Sequence, residues 1–264
     1  MPEGHTIHRA ARRIRSVIGG KRLDRVSARG AHLVEAKAEQ RLRGATVTEV
    51  EARGKHLLIH TDAGWSIHSH LRMDGVWHLY RAGERWRKRR ERAWLVLGSG
   101  GWDAVNFDGP ILRILPTEEL LRDRVLTDLG PDILVESFDD SEYLRRMRAH
   151  RTREIGDAVL QQRIVAGIGN IYKSESLFMG RIDPWRMVGD LADDELLRVR
   201  EIATRIMGDG VLDARAITFH GPGVPGRWAY DRFNQPCRVC GTAIQRRKQG
   251  EDQRSTYWCA VCQT

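Results

Sequence analysis

The chain has 264 residues and a mass of 30.2 kDa, which suits one large domain or two to three small ones. At 41% hydrophobic and 30% charged, with 26 Gly and only 8 Pro, it can pack cores, which excludes a disordered or low-complexity chain. Lys+Arg 44 against Asp+Glu 35 gives a net charge of +9 and a pI near 9.8, a field that favours polyanions, nucleic acid before anionic membrane. No apolar run approaches the ~20 residues of a membrane span, and no signal peptide is read at the start, so a soluble, cytoplasmic protein without membrane association is expected.

Residues 3–18 place Ile7, Ala11, Ile14 and Ile18 on one face at helical spacing, with Arg9, Arg12, Arg13 and Arg15 elsewhere, so a helix begins almost at the N-terminus. From about residue 21 to 115 the pattern changes to short β-rich runs: 45–50, 56–60, 65–70, 76–80, 94–97 and 111–115. Asp62-Ala63-Gly64 and Gly98-Ser99-Gly100-Gly101 read as hairpin turns, and strands at this spacing suggest a sandwich or barrel. The run 81–92 holds seven basic and two acidic residues; it reads equally as a loop touching nucleic-acid backbone or as a solvated charge run.

After Pro116 the expectation is helical. Thr117 and Ser141 are expected to cap two short helices, the second running to His150. Further helices are expected over 157–165 and 170–179, and a long one over 193–207 with Leu196, Val199, Ile202 and Ile206 in register, ended by Gly208 and Gly210. The Gly/Pro-rich passage 221–226 reads as a linker.

All four cysteines lie in the last 28 residues, which points to metal rather than a disulfide framework. Cys237-x2-Cys240 and Cys259-x2-Cys262 have the spacing of a four-cysteine zinc ribbon. Four sulfurs close a tetrahedral sphere and leave no position for a reacting water, so one structural Zn2+ is expected and no catalytic metal. Strand-period histidines at 56, 60, 68, 70 and 78 read as polar-face or capping residues, and the eight tryptophans as packing. The whole is a multidomain α+β chain: an N-terminal helix plus β-sandwich over 1–120, a helical domain over 121–226, and a zinc-stapled hairpin over 227–264.

The opening "MPEGHTIHRAARR", the stretch "VLQQRIVAGIGNIYKSESLF" and the tail "QRSTYWCAVCQ" together resemble the formamidopyrimidine-DNA glycosylase / endonuclease VIII family, in the family's order and over the whole chain. The resemblance implies a catalytic β-sandwich, a helix–two-turn–helix domain and a zinc finger. It further implies base-excision repair: removal of an oxidised base from double-stranded DNA, then strand cleavage at the abasic sugar, by a monomer with no nucleotide cofactor.

The residues agree with that chemistry. Pro2 follows the initiator Met and is small enough to permit Met removal, which exposes a secondary amine. A terminal amine titrates near ~8 and a lysine near ~10.4, so several hundred times more of it is free to attack at neutral pH. Its iminium adduct is an electron sink for elimination. Glu3, in the first helical turn, is the expected proton donor and acceptor. The resemblance assigns Lys55 in "RGKHLLIH" to phosphate contact and proton donation, and Asn170 and Arg254 to the phosphates flanking the lesion, with Gly167 and Gly169 permitting close approach. Met73 in "SHLRMDGVW" is the wedge candidate for the hole left by a flipped base, and Arg72 the partner for the orphaned base.

Where the family opening usually has Pro and Glu, this chain has His5 and Thr6, which removes a second early carboxylate. Gly4 resembles the endonuclease VIII branch and favours oxidised pyrimidines. The alternatives are an oxidised-purine glycosylase of the same family, an abasic-DNA-binding protein with impaired chemistry, and a zinc-ribbon transcription factor. The last leaves the Pro2-Glu3 opening unexplained.

Overall fold

The computed structural model describes residues 2–213, 216–221 and 224–264, in two compact units, Met1–Asp128 and Leu129–Thr264. The first unit opens with α1 (Gly4–Ile18), capped by the Glu3 carbonyl, which accepts from Thr6 and Ile7. Its apolar stripe, Ile7, Ala11, Ile14 and Ile18, is buried at the 3–4-residue spacing a helix requires. The chain continues through β1 (Arg25–Ala28), α2 (Ala31–Glu35), α3 (Ala38–Leu42), β2 (Val47–Arg53), β3 (His56–Thr61), β4 (Trp65–His70), β5 (Val76–Arg81), β6 (Ala93–Ser99), β7 (Trp102–Phe107) and β8 (Ile111–Pro116). Two four-stranded antiparallel sheets result, ordered β2-β3-β4-β8 and β1-β6-β7-β5. Val50, Leu57, Ile59, Ile67 and Ile114 of the first sheet share one core with Val26, Trp77, Leu95, Leu97 and Ala104 of the second and with α1. The unit is therefore a β-sandwich with a helix closing it.

Strands β1 and β7 have no counterpart in the sequence reading. β1 offers one buried apolar residue, Val26, and β7 buries Asp103 and Asn106 within its run, which masks the alternation. Three of the histidines lie on the face the polar-face expectation gave them, but they are buried there rather than exposed. His56, His60 and His68 point away from the core, yet all are buried, because α4 (Thr117–Leu121) and α5 (Arg124–Thr127) follow β8 and Asp123 pairs with Arg113 of that strand. Thr117 is the first residue of α4, not its cap; Pro116 holds the cap position and the Thr117 hydroxyl lies 2.7 Å from Ser66 Oγ.

The second unit is helical until its last hairpin: α6 (Asp140–Arg148), α7 (Ile155–Ala158), α8 (Asn170–Gly180) and α9 (Asp193–Leu212), then β9 (Gln245–Gln249) paired with β10 (Arg254–Trp258). Asp139 rather than Ser141 caps α6, its carboxylate accepting from Glu142 N at 2.9 Å. The expected helix over 157–165 is only the four-residue α7. Beyond it the Gln162 side chain donates to Leu160 O and Ile168 O and accepts from Gly167 N, replacing helical bonds. Gly208 and Gly210 do not end α9, which runs on to Leu212. Of the expected linker, Pro222 and Gly223 lie outside the described residues, while Phe219 and Gly226 exchange backbone bonds of 3.0 and 3.1 Å.

Candidate active site and nucleic-acid interface

In the first unit, Pro2 is half-buried directly ahead of α1 and Glu3 is fully buried at its N-cap, one position earlier than the expected first turn. Met1 lies outside the described residues. A carboxyl group withdrawn from water at a helix N-cap is sheltered from solvent. Lys55 stands at the tip of the two-residue β2–β3 hairpin, after Gly54 at φ 58° and between the paired Arg53 and His56. Arg72 and Met73 belong to the β4–β5 loop, where Gly75 N bonds Leu71 O at 2.9 Å and Arg72 adopts φ 49°. A Cβ on Gly75 would meet that same carbonyl at 2.7 Å, so the loop's return requires glycine. Met73, an apolar side chain, is 59% exposed.

The hairpin and the loop are electrically joined. Burial first, then Arg72 and Lys55, hold His70 at about 4. Burial, His68, His70, Arg72 and Lys55 hold His56 at about 3, and His68 is at about 4 through burial and Arg113. His56 Nδ1 and His68 Nε2 lie 2.8 Å apart. At neutral pH these imidazoles are uncharged, and the charges of both Lys55 and Arg72 act on His70.

A neighbouring arrangement imitates a nucleophilic triad. Ser66 Oγ lies 2.7 Å from His60 Nδ1, and His60 Nε2 lies 3.1 Å from Glu51. Burial pushes the Glu51 carboxyl up, but bonds from His60 and Arg53 and the Arg53 charge leave it below its ordinary value. Ser66 is fully buried and its oxygen is shared with Thr117, so no substrate reaches it. The triad is structural.

In the second unit, Gly167 at φ 105° turns the chain into α8, whose cap is Gly169 and whose first residue is Asn170. Asn170 is buried, and its amide donates to Ser255 O at 2.7 Å, next to Arg254. Arg254 is the first residue of the return strand β10, opposite Gln249. The structure thus brings Asn170 and the Arg254 strand together.

Two residues that sequence reasoning missed hold this junction. Lys173 is fully buried and donates to Thr256 Oγ1 at 2.6 Å, which in turn donates to Gln249 at 2.7 Å. Glu175, also fully buried, accepts from the Thr218 hydroxyl and from the backbone N–H of Trp228, Ala229 and Tyr230 at 2.7–2.9 Å. Their sequence signal was a Lys and a Glu inside an otherwise buried helix, since a charge is buried only where partners meet it.

The four cysteine sulfurs lie within 4.8 Å of one another, with Cys237–Cys262 at 3.8 Å and Cys240–Cys259 at 3.4 Å. A tetrahedron with Zn–S of ~2.3 Å puts its sulfurs ~3.8 Å apart, whereas a disulfide needs ~2.05 Å. The donor set fits one structural zinc, which fastens the hairpin carrying Arg254. Phe178 of α8, Ile244 and Tyr257 pack with Cys237 and Cys259 beside it.

Comparison with known proteins covers each part of the chain. Residues 1–107 match the formamidopyrimidine-DNA glycosylase N-terminal domain, 129–220 the formamidopyrimidine-DNA glycosylase H2TH domain, and 234–264 the zinc finger found in FPG and IleRS. The chain is 38% identical over 266 residues to the "probable endonuclease 8 2" of Streptomyces coelicolor, covering 100% of this chain and 94% of that one. It is 37% identical to the "DNA-(apurinic or apyrimidinic site) lyase Nei2" of Mycolicibacterium smegmatis, covering 100% and 99%. Among solved structures, the Lactococcus lactis Fpg in complex with N7-benzyl-Fapy-dG-containing DNA superposes with a TM-score of 0.81 over 100% of both chains at 24% identity, a likeness of fold.

Proposed function

The chain belongs to the formamidopyrimidine-DNA glycosylase / endonuclease VIII family, and from that membership we propose that it is a bifunctional DNA glycosylase and AP lyase acting on oxidised pyrimidines in duplex DNA. The observation that carries the reading is the pairing of Pro2 with a fully buried Glu3 at the cap of α1. Once Met1 is removed, the Pro2 nitrogen adds to C1′ of the damaged nucleotide. The base leaves with a proton and the sugar ring opens, giving an iminium. Loss of a C2′ proton into that sink expels the 3′ phosphate, and a second elimination expels the 5′ phosphate. Glu3 is the group that gives and recovers protons at the ring oxygen and sugar carbon. Lys55 is assigned to a phosphate beside the lesion and to proton donation, and Arg254 and Asn170 to flanking phosphates, with Arg254 assisting the second elimination. Met73 fills the vacated stack and Arg72 faces the widowed base. Gly4, which resembles the endonuclease VIII branch, supports pyrimidine over purine lesions, and relatives named endonuclease 8 accord with that branch.

Borohydride trapping tests the proposal. The mature protein is expected to form a covalent adduct with abasic and thymine-glycol duplexes, and Pro2→Gly is expected to reduce the trapped fraction at least ~100-fold with DNA binding retained. An undiminished adduct in that variant, or in protein that keeps Met1, would refute the assigned nucleophile. Faster excision of 8-oxoguanine than of thymine glycol would move the enzyme to the purine class.

A further inference from the structure

The segment between β5 and β6 has no part in the chemistry proposed above, yet it is the most basic stretch of the chain, with seven basic and two acidic residues over 81–92. Blocks of like charge repel themselves into disorder unless something anchors them. Here the anchor is Trp86, which stacks on Tyr80 (centroids 6.0 Å apart) and meets Phe107 edge-on at 5.7 Å. Tyr80, Ala93, Val96, Val105 and Phe107 form an apolar cluster of their own beneath it, separate from the sandwich core. The Tyr80 hydroxyl accepts from Arg87 N at 3.1 Å, and the segment lies as a strap across the outer face of the second sheet.

Some of its charge is spent locally. Lys88 and Arg92 both pair with Asp108, at 2.8 and 2.6 Å, while Arg90 sits over Trp86 and Arg81 over Trp102. Arg85, Arg87 and Arg89 are exposed, and no carboxylate of the described residues pairs with their guanidinium groups. The positive field continues onto α1. His78 is held below its ordinary pKa by burial and by Lys88, Arg87 and Arg13, so cations of the strap and of α1 flank one imidazole. Arg12 and Arg13 are exposed on that helix, with Arg13 about 16 Å along the axis from Pro2. That is about five base pairs of duplex at ~3.4 Å each. The strap contributes no large exposed apolar side chain, which a protein interface would need at its centre.

We infer that the strap, through Arg85, Arg87 and Arg89, together with Arg12 and Arg13 of α1, is a second nucleic-acid surface that takes the sugar–phosphate backbone of duplex DNA several base pairs from the lesion. It reads charge, not sequence. The inference rests on the repair reading only for the identity of the polymer.

Salt-dependent binding tests it, with duplexes carrying a central uncleavable tetrahydrofuran abasic analogue and arms of roughly 4 base pairs (~14 Å) or roughly 15 (~50 Å) on each side. On long arms, R85Q/R87Q/R89Q is expected to lower the slope of log K against log salt by about 2–3 and to weaken binding roughly 10–100-fold at ~0.1 M salt, and R12Q/R13Q to lower the slope by about 2. On short arms the slopes are expected to coincide with the wild type. These side chains are exposed, so an unchanged melting temperature verifies the fold of each variant. Equal slopes for wild type and variants on long arms overturn the inference, as does loss of binding to polyglutamate without loss on DNA, which would mark an acidic protein partner. Failure of the repair reading shows differently: the wild type would bind the analogue no better than intact duplex on either arm length.

Discussion

At the scale of single residues, the histidines around Lys55 set a pH limit on the first unit. His56 and His68 titrate at about 3 and about 4 in the folded chain, against 6.5 when unfolded, chiefly because burial disfavours the imidazolium. A folded pKa below the unfolded one means that acid protonates the unfolded chain first. Their contribution is therefore complete above about pH 6.5 and is lost as pH falls toward 4, with a slope of up to ~1.4 kcal/mol per pH unit for each group. Urea unfolding at pH 7 and pH 5 is expected to show the first unit destabilised at the lower pH, and His56→Gln is expected to shrink that difference. An unchanged pH 7-to-5 difference in the variant would mean that other groups carry the acid sensitivity. Met73 illustrates the converse: at 59% exposure it contributes little to the fold.

At the scale of elements, α8 and α9 show how partners override local preference. The N-terminus of α9 carries Asp193, Asp194 and Glu195 in its first turn, and Glu195 accepts from Ala192 N at 2.9 Å. With Leu196, Val199, Ala203, Ile206 and Met207 buried along it, the helix survives two glycines that cost roughly 1 kcal/mol each. A Cβ on Gly208 would meet nothing within 4 Å, so Gly208→Ala is expected to stabilise the second unit by about 0.5–1 kcal/mol, read as a higher urea midpoint at constant slope. Helix α8 is buried on nearly every face, and its Lys173 and Glu175 act as staples. One ties the helix to the hairpin that bears Arg254, and the other collects the chain at Trp228–Tyr230 as it enters the zinc ribbon.

At the scale of the molecule, the zinc ribbon is too small to bury a core unaided and borrows Phe178 from α8. Metal removal by a strong chelator is expected to unfold the hairpin, release Arg254 and lower affinity for abasic duplex by ~100-fold or more, while the β-sandwich spectrum of the first unit persists. Collapse of both units together, or retained affinity without zinc, would count against this division of labour. Two surface arginines elsewhere lie over tryptophan, Arg41 over Trp65 at 3.7 Å and Arg247 over Trp185 at 3.5 Å.

The amino-acid sequence by itself determined α1 and most strands of the sandwich, because their apolar residues recur at the periods of helix and strand. It also determined the zinc site, because two Cys-x2-Cys pairs have few other uses. Only the tertiary structure decided that β7 is a strand despite Asp103 and Asn106, that the chain after Ala158 abandons the helix for bonds made by the Gln162 side chain, and that Ser66, His60 and Glu51 are sealed from substrate. Only there do Lys55 and Arg72 face one histidine, and Asn170 reach the strand of Arg254. The reason is common to all of these. Periodicity and spacing record what a segment does with its neighbours in sequence, whereas a buried polar group is settled by whichever distant partner arrives to satisfy it.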